Sequence, residues 1–139
     1  MALNRVKAFT LKNGEFLGDI TAWQSGYSGG MPARVNSVGS IARAYSETGY
    51  VGIFAKGSDV DASGSAVTFY TGPGIFTMEK GSAEAAYPYD EAQTYVAGEN
   101  FGIVAGEWSN QTPTTTRGRV LAVGAVSGGV TTSLTLLFV

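Results

Sequence analysis

Apolar and polar side chains alternate along this chain in short runs. Two such runs, residues 4–12 and 15–23, flank the pair Asn13-Gly14. An Asn-Gly pair between alternating runs is typical of a two-residue hairpin turn, because both central residues of a type I′ turn need positive φ. The pattern therefore predicts a β-hairpin at the start of this sequence.

Further runs rich in Val, Ile, Phe, Tyr and Thr predict more strands. They cover residues 37–46, 50–55, 66–71, 75–79, 93–97, 101–105, 107–109, 117–126 and 130–139. The first of these also fits helical spacing, but its glycine and tyrosine favour an extended chain. The turn residues Gly72-Pro73-Gly74 predict that residues 66–79 form a second hairpin. Ser127, Gly128 and Gly129 are expected to join the last two strands.

The final run has two apolar faces. Alternate residues share one face: Val130, Thr132, Leu134, Leu136 and Phe138. Leu137 and Val139 add apolar side chains to the opposite face. A strand of this kind is covered on both sides, so we expect it to be central in its sheet or covered by a neighbouring subunit.

Two segments break the strand pattern. Residues 24–36 contain three glycines and a proline, which predict a long loop. Residues 81–87 have the best local helix propensity, enough for one or two turns. The whole pattern predicts one all-β domain over residues 1–139, a compact barrel or sandwich of about eight or more short strands with long loops and at most one short helix.

The composition of the chain excludes several kinds of functional site. The chain has no cysteine and no histidine, and its 9 basic and 11 acidic residues give a net charge of −2. It therefore lacks the residues for disulfides, thiolate metal sites, cysteine nucleophiles and histidine general bases. The weak charge argues against nucleic acid as a partner. We also expect no membrane partner and no export signal, and hence synthesis in a reducing cytoplasm.

One segment resembles half of a calcium site. Asp59, Asp61 and Ser63 alternate before Gly64, as ligands do in an EF-hand loop. The twelfth position of that loop, which should be a bidentate Glu, is Tyr70, and no helices are expected around it. We therefore predict a solvated turn and no metal ion.

Catalytic groups are also sparse. The carboxylates that could act as a glycosidase pair are Glu79 with Glu84, Asp90 with Glu91, and Glu99 with Glu107. Solvation of the protein surface is the expected role of all of them. A serine nucleophile would have only a lysine, such as Lys56 or Lys80, as its base. We predict a protein that is not an enzyme and needs no cofactor.

Four residues in or beside the glycine-rich loop, Trp23, Tyr27, Met31 and Arg34, belong to types that are enriched in protein interfaces. A core position for Trp23 fits the sequence equally well. Its ring could also be buried while its N–H remains accessible.

The second half of the chain resembles a known family. Residues 67–77, 94–101, 117–124 and 134–139 read VTFYTGPGIFT, TYVAGENF, RGRVLAVG and LTLLFV. This order of strands and glycine turns is similar to that of the decoration, or cement, proteins of tailed-bacteriophage heads. The resemblance covers residues 50–139, and the first 49 residues match less well.

The resemblance implies a structural protein on the outer capsid surface of the virion, made in the cytoplasm of the host bacterium. It implies the major capsid protein as partner and self-association, most often as a homotrimer that stabilises the capsid. Trp23, Tyr27, Met31 and Arg34 are then the expected shell contacts, and Leu137 and Val139 the expected contacts between copies.

The alternatives are another virion component, such as a tail-tube, fibre or head-completion protein, or a carbohydrate-binding β-sandwich. The latter would use Trp23, Trp108 and nearby tyrosines as sugar platforms. A small enzyme ranks last.

Overall fold

A computed structural model describes residues 15–17, 29–35, 41–54, 66–80 and 86–139. These residues form twelve strands and no helix: β1 Glu15–Leu17, β2 Pro32–Val35, β3 Ile41–Arg43, β4 Tyr50–Phe54, β5 Ala66–Tyr70, β6 Gly74–Glu79, β7 Asn100–Val104, β8 Glu107–Ser109, β9 Gly118–Val123, β10 Val126–Ser127, β11 Val130–Thr131 and β12 Ser133–Phe138. Two five-stranded sheets and a two-stranded ribbon result, which confirms the all-β prediction.

The first sheet has the strand order β1-β5-β4-β2-β3, and its neighbours are antiparallel. Strand β2 lies where the sequence predicted a loop over residues 24–36, so that prediction is wrong for its last part. Ala33 is fully buried and pairs with Arg43 on one side and Gly52 on the other. Pairing of β2 with a strand on each side outweighs the preference of this glycine-rich segment for a loop. A proline is tolerated as the first residue of a strand.

The second sheet has the strand order β6-β12-β9-β7-β8. Strand β12 pairs with β6 over six consecutive residues and with β9 on its other side. The prediction of a central last strand is therefore confirmed, and Leu134, Leu136 and Phe138 point into the core. The pairing with β9 shifts register beside Leu121, a bulge that adds one residue to that strand.

The predicted hairpin over residues 66–79 is wrong. Strands β5 and β6 belong to different sheets. Both edges of β5 are occupied, one by β1 and the other by β4, so β6 has no place beside it. The turn residues instead carry the chain from one sheet to the other, with Gly72 at a φ of 80°.

The predicted pairing of residues 117–126 with residues 130–139 is confirmed, since β9 pairs with β12 and β10 with β11. Ser127, predicted in the turn, is instead the last residue of β10. Gly128 and Gly129 have φ values of 59° and 83°, as a type I′ turn requires. The predicted strand at residues 93–97 is absent from the structure, because turn contacts take its polar groups: the Val96 N–H donates to Glu99, and the Tyr95 hydroxyl donates to the Asp90 carbonyl. The turn at Asn13-Gly14 and residues 81–85 lie outside the described residues.

The core lies between the two sheets and is rich in aromatic rings. Trp108 is fully buried and makes edge-to-face contacts with Phe101, Phe138 and Tyr50, the last of these from the first sheet. Polar contacts also cross between the sheets: Trp108 Nε1 to the Gly30 carbonyl at 2.6 Å, Arg43 Nε to the Gly106 carbonyl at 2.8 Å, and the ion pair of Arg117 with Glu47. The sheets are thus held together by packing and by directional bonds.

Candidate protein-binding surface

The outward face of strands β6, β12 and β9 is the most distinctive surface of the described chain. Side chains alternate across each strand, so burial of Leu134 and Leu136 turns Thr135 and Leu137 outward. On the edge strand β6, Ile75 is outward and 64% exposed. Apolar side chains on this face therefore meet solvent instead of the core.

The register sets these side chains in rows. Leu137 lies between Ile75 on β6 and Arg119 on β9. In the next row Thr135 pairs with Thr77, and their hydroxyl oxygens are 3.0 Å apart. The face is thus apolar at one end and lined with hydroxyls in its middle.

Few charged residues lie on the three strands of this face. Residues 120–139 include no Asp, Glu, Lys or Arg. Among the residues of β6, β9 and β12, only Glu79 and Arg119 are charged; both are exposed on the outward face, and Arg119 Nη1 donates to the Gly98 carbonyl at 2.9 Å. The centres of protein interfaces are depleted of charged residues, so the part of this face between these two side chains has the composition of a protein contact.

Further exposed apolar side chains lie on β9, on the ribbon and after β12. Leu121 at the bulge of β9 is 41% exposed, Val126 on the β10–β11 ribbon is 64% exposed, and Val139 is 76% exposed. The Tyr89 hydroxyl donates to the Thr131 carbonyl at 2.6 Å, which anchors the base of the ribbon. An apolar face, defined by Ile75, Leu121, Val126, Leu137 and Val139, therefore lies on the second sheet and its ribbon, with Arg119 and Glu79 at its margins.

The four predicted shell contacts differ in their positions in the structure. Trp23 and Tyr27 lie outside the described residues. Met31 is only 1% exposed, so its side chain belongs to the interior and the prediction of a surface contact is wrong for it. Arg34 is half-buried on β2, and its Nε donates to the Arg43 carbonyl at 3.3 Å.

The residues predicted to contact another copy lie together on the second sheet. Leu137 is half-buried on the outward face of β12, and Val139 follows at the end of the strand. Sequence reasoning missed Ile75, Leu121 and Val126 as members of the same surface. The signal that could have found part of it is the charge-free run from residue 120 onward.

Several residues considered for sugar binding or acid–base chemistry are buried, hydrogen-bonded within a turn, or outside the described residues. Trp108 has no exposed surface and cannot stack on a sugar. Glu99 Oε1 accepts hydrogen bonds from the Val96 N–H at 2.7 Å and the Asn110 side chain at 2.8 Å, so it braces a turn. The calcium-like segment at 59–64, Lys56 and Glu84 lie outside the described residues.

Glu107 on β8 is half-buried and lies near other carboxylates. Partial burial raises the pKa of its carboxyl, and the nearby carboxylates of Asp90 and Glu91 raise it further, while Arg43 opposes them. Burial also raises the pKa of Tyr50 to about 12. In the described residues, no group of three or more carboxylates is arranged as a metal site.

No family model, no curated protein and no solved structure matches the chain. Within the ranges given above, no helix is long and apolar enough to cross a membrane.

Proposed function

We propose that this chain is a structural virion protein that binds the outer surface of an assembled phage capsid. The observation that supports this best is the apolar face. It combines a rigid sheet with exposed apolar side chains and a long charge-free sequence, as expected of a surface that docks on another protein.

A rigid sheet face suits a repetitive shell. Strand β12 is fixed by neighbours on both sides, so the outward side chains are ordered before any partner arrives. Little conformational freedom is then lost on binding, and many weak identical contacts on a symmetric shell are sufficient for stable attachment. A protein that binds only the assembled shell also raises the temperature at which the shell melts.

The test uses one substitution on the face and one off it. Leu121→Lys places a charge at the bulge of β9, where Leu121 is 41% exposed. Val96→Lys is the matched control, since Val96 is 62% exposed in a turn outside the face. Each protein is mixed with expanded heads of candidate phages and sedimented.

We expect wild type and Val96→Lys to sediment with one type of head and to raise its melting temperature, and Leu121→Lys to bind at least tenfold more weakly. Equal binding by both variants would remove the face from the proposal. If the wild-type protein binds no head at saturating concentration, the capsid role is wrong.

A further inference from the structure

Strand β6 is the longest edge strand of the two described sheets. It lies at the end of the second sheet, and all six of its residues pair with β12 in one unbroken register. No described strand pairs with its other side. A straight edge strand of this kind offers a row of backbone donors and acceptors to another strand.

The other ends of the two sheets are short or covered. Strands β1, β3 and β8 have three residues each. The outer side of β8 is also occupied, because the Trp108 N–H donates to the Pro88 carbonyl and the Asp90 N–H donates to the Trp108 carbonyl. Proteins normally protect an edge with a short strand, a bulge, a proline or charged side chains, and within its paired length β6 has only one of these, the exposed Glu79 at its last position.

We propose that β6 pairs antiparallel with β6 of a second copy of this chain, so that the second sheets of two subunits join into one continuous sheet. This inference goes beyond the proposed function and does not depend on capsid binding.

The sequence of β6 fits a copy of itself. Residues opposite each other in an antiparallel pair must point to the same face, so the two-fold axis has to pass through a residue position. With the axis at Thr77, Phe76 lies opposite Met78 on the inner side and Ile75 lies opposite Glu79 on the outer side. The two Glu79 carboxylates are then about 14 Å apart along the strand direction, so like charges do not oppose each other.

Pairing through β6 also extends the apolar face across both subunits. Ile75, Leu137 and Thr135 of the two copies would share one outward surface. Because the same strand is used on both sides, the contact closes at two copies. We therefore infer a dimer in place of the trimer that the family resemblance implies.

The first test is light scattering of the purified protein over a range of concentrations. We expect the mass to rise from 14.4 kDa towards twice that value. Thr77→Lys sets two ammonium groups opposite each other at the axis and should weaken the dimer at least tenfold. Thr135→Lys is the matched control: it loses the same Thr77–Thr135 hydrogen bond on the same face, but the two lysines are about 14 Å apart across three strand spacings.

A second test separates pairing from loss of folding. A mixture of Thr77→Lys and Thr77→Glu should recover the dimer, since opposite charges then meet at the axis. The chain has no cysteine, so Thr77→Cys should form a disulfide dimer on oxidation and Thr135→Cys should not. A wild-type monomer or trimer at all concentrations, equal effects of the two lysine variants, or failure of the mixture to dimerise would each overturn the inference.

Discussion

Replacement of Trp108 by Phe tests whether the two sheets depend on one indole ring. Trp108 is fully buried, and its ring centroid lies 4.9 Å from that of Phe138 and 5.7 Å from that of Phe101. Its Nε1 donates to the Gly30 carbonyl at 2.6 Å, two residues before the start of β2 in the first sheet. Phe keeps an aromatic ring at the centre of the core and removes this hydrogen bond.

The cost has two parts. Loss of the donor leaves the half-buried Gly30 carbonyl without this partner, which costs about 1–2 kcal/mol, the lower part of the range for buried groups. The indole exceeds a phenyl ring by roughly 40 Å³, and at about 24 cal/mol per Å³ the cavity adds about 1 kcal/mol. We therefore expect Trp108→Phe to lower the free energy of unfolding by about 2–3 kcal/mol.

The assay is urea unfolding followed by far-ultraviolet circular dichroism, which does not depend on tryptophan fluorescence. With a slope of about 2 kcal/mol per M, the midpoint should fall by about 1–1.5 M. Tyr45→Phe is the control, because Tyr45 is 56% exposed and its replacement should change stability by less than about 0.5 kcal/mol. A midpoint for Trp108→Phe within 0.3 M of wild type (roughly the error of the fit) would refute the argument that this ring and its bond join the sheets.

Two further substitutions probe the fold. Gly118→Ala should destabilise the protein by about 2 kcal/mol or more, because a Cβ at this position would overlap the carbonyl oxygen of Leu137 on the neighbouring strand; an unchanged melting temperature would mean that the two strands separate easily here. Glu107→Gln should raise the melting temperature at pH 7. Since burial raises the pKa of the Glu107 carboxyl, the folded state favours the neutral form, and stability is lost as pH rises through that pKa. The gain should shrink as the pH falls below the usual carboxyl range, and a gain that is independent of pH would contradict this cause.

Local patterns in the sequence were sufficient for several features. A tight connection between the last two strands follows from Gly128 and Gly129, which accept positive φ, and the inward face of β12 follows from strict alternation. The outward positions of Leu137 and Val139 follow from the same alternation. These features depend on neighbouring residues alone, so no knowledge of the rest of the chain was needed.

Tertiary contacts decided the rest. Gly72-Pro73-Gly74 is a turn in either arrangement, but only the occupied edges of β5 show that the chain leaves for the second sheet. Met31 and Trp108 are residue types found both in cores and in interfaces, and burial depends on segments distant in sequence. The position of Ile75 beside Leu137 on the apolar face depends on the register between β6 and β12, because a one-residue shift would turn either side chain to the other side of the sheet.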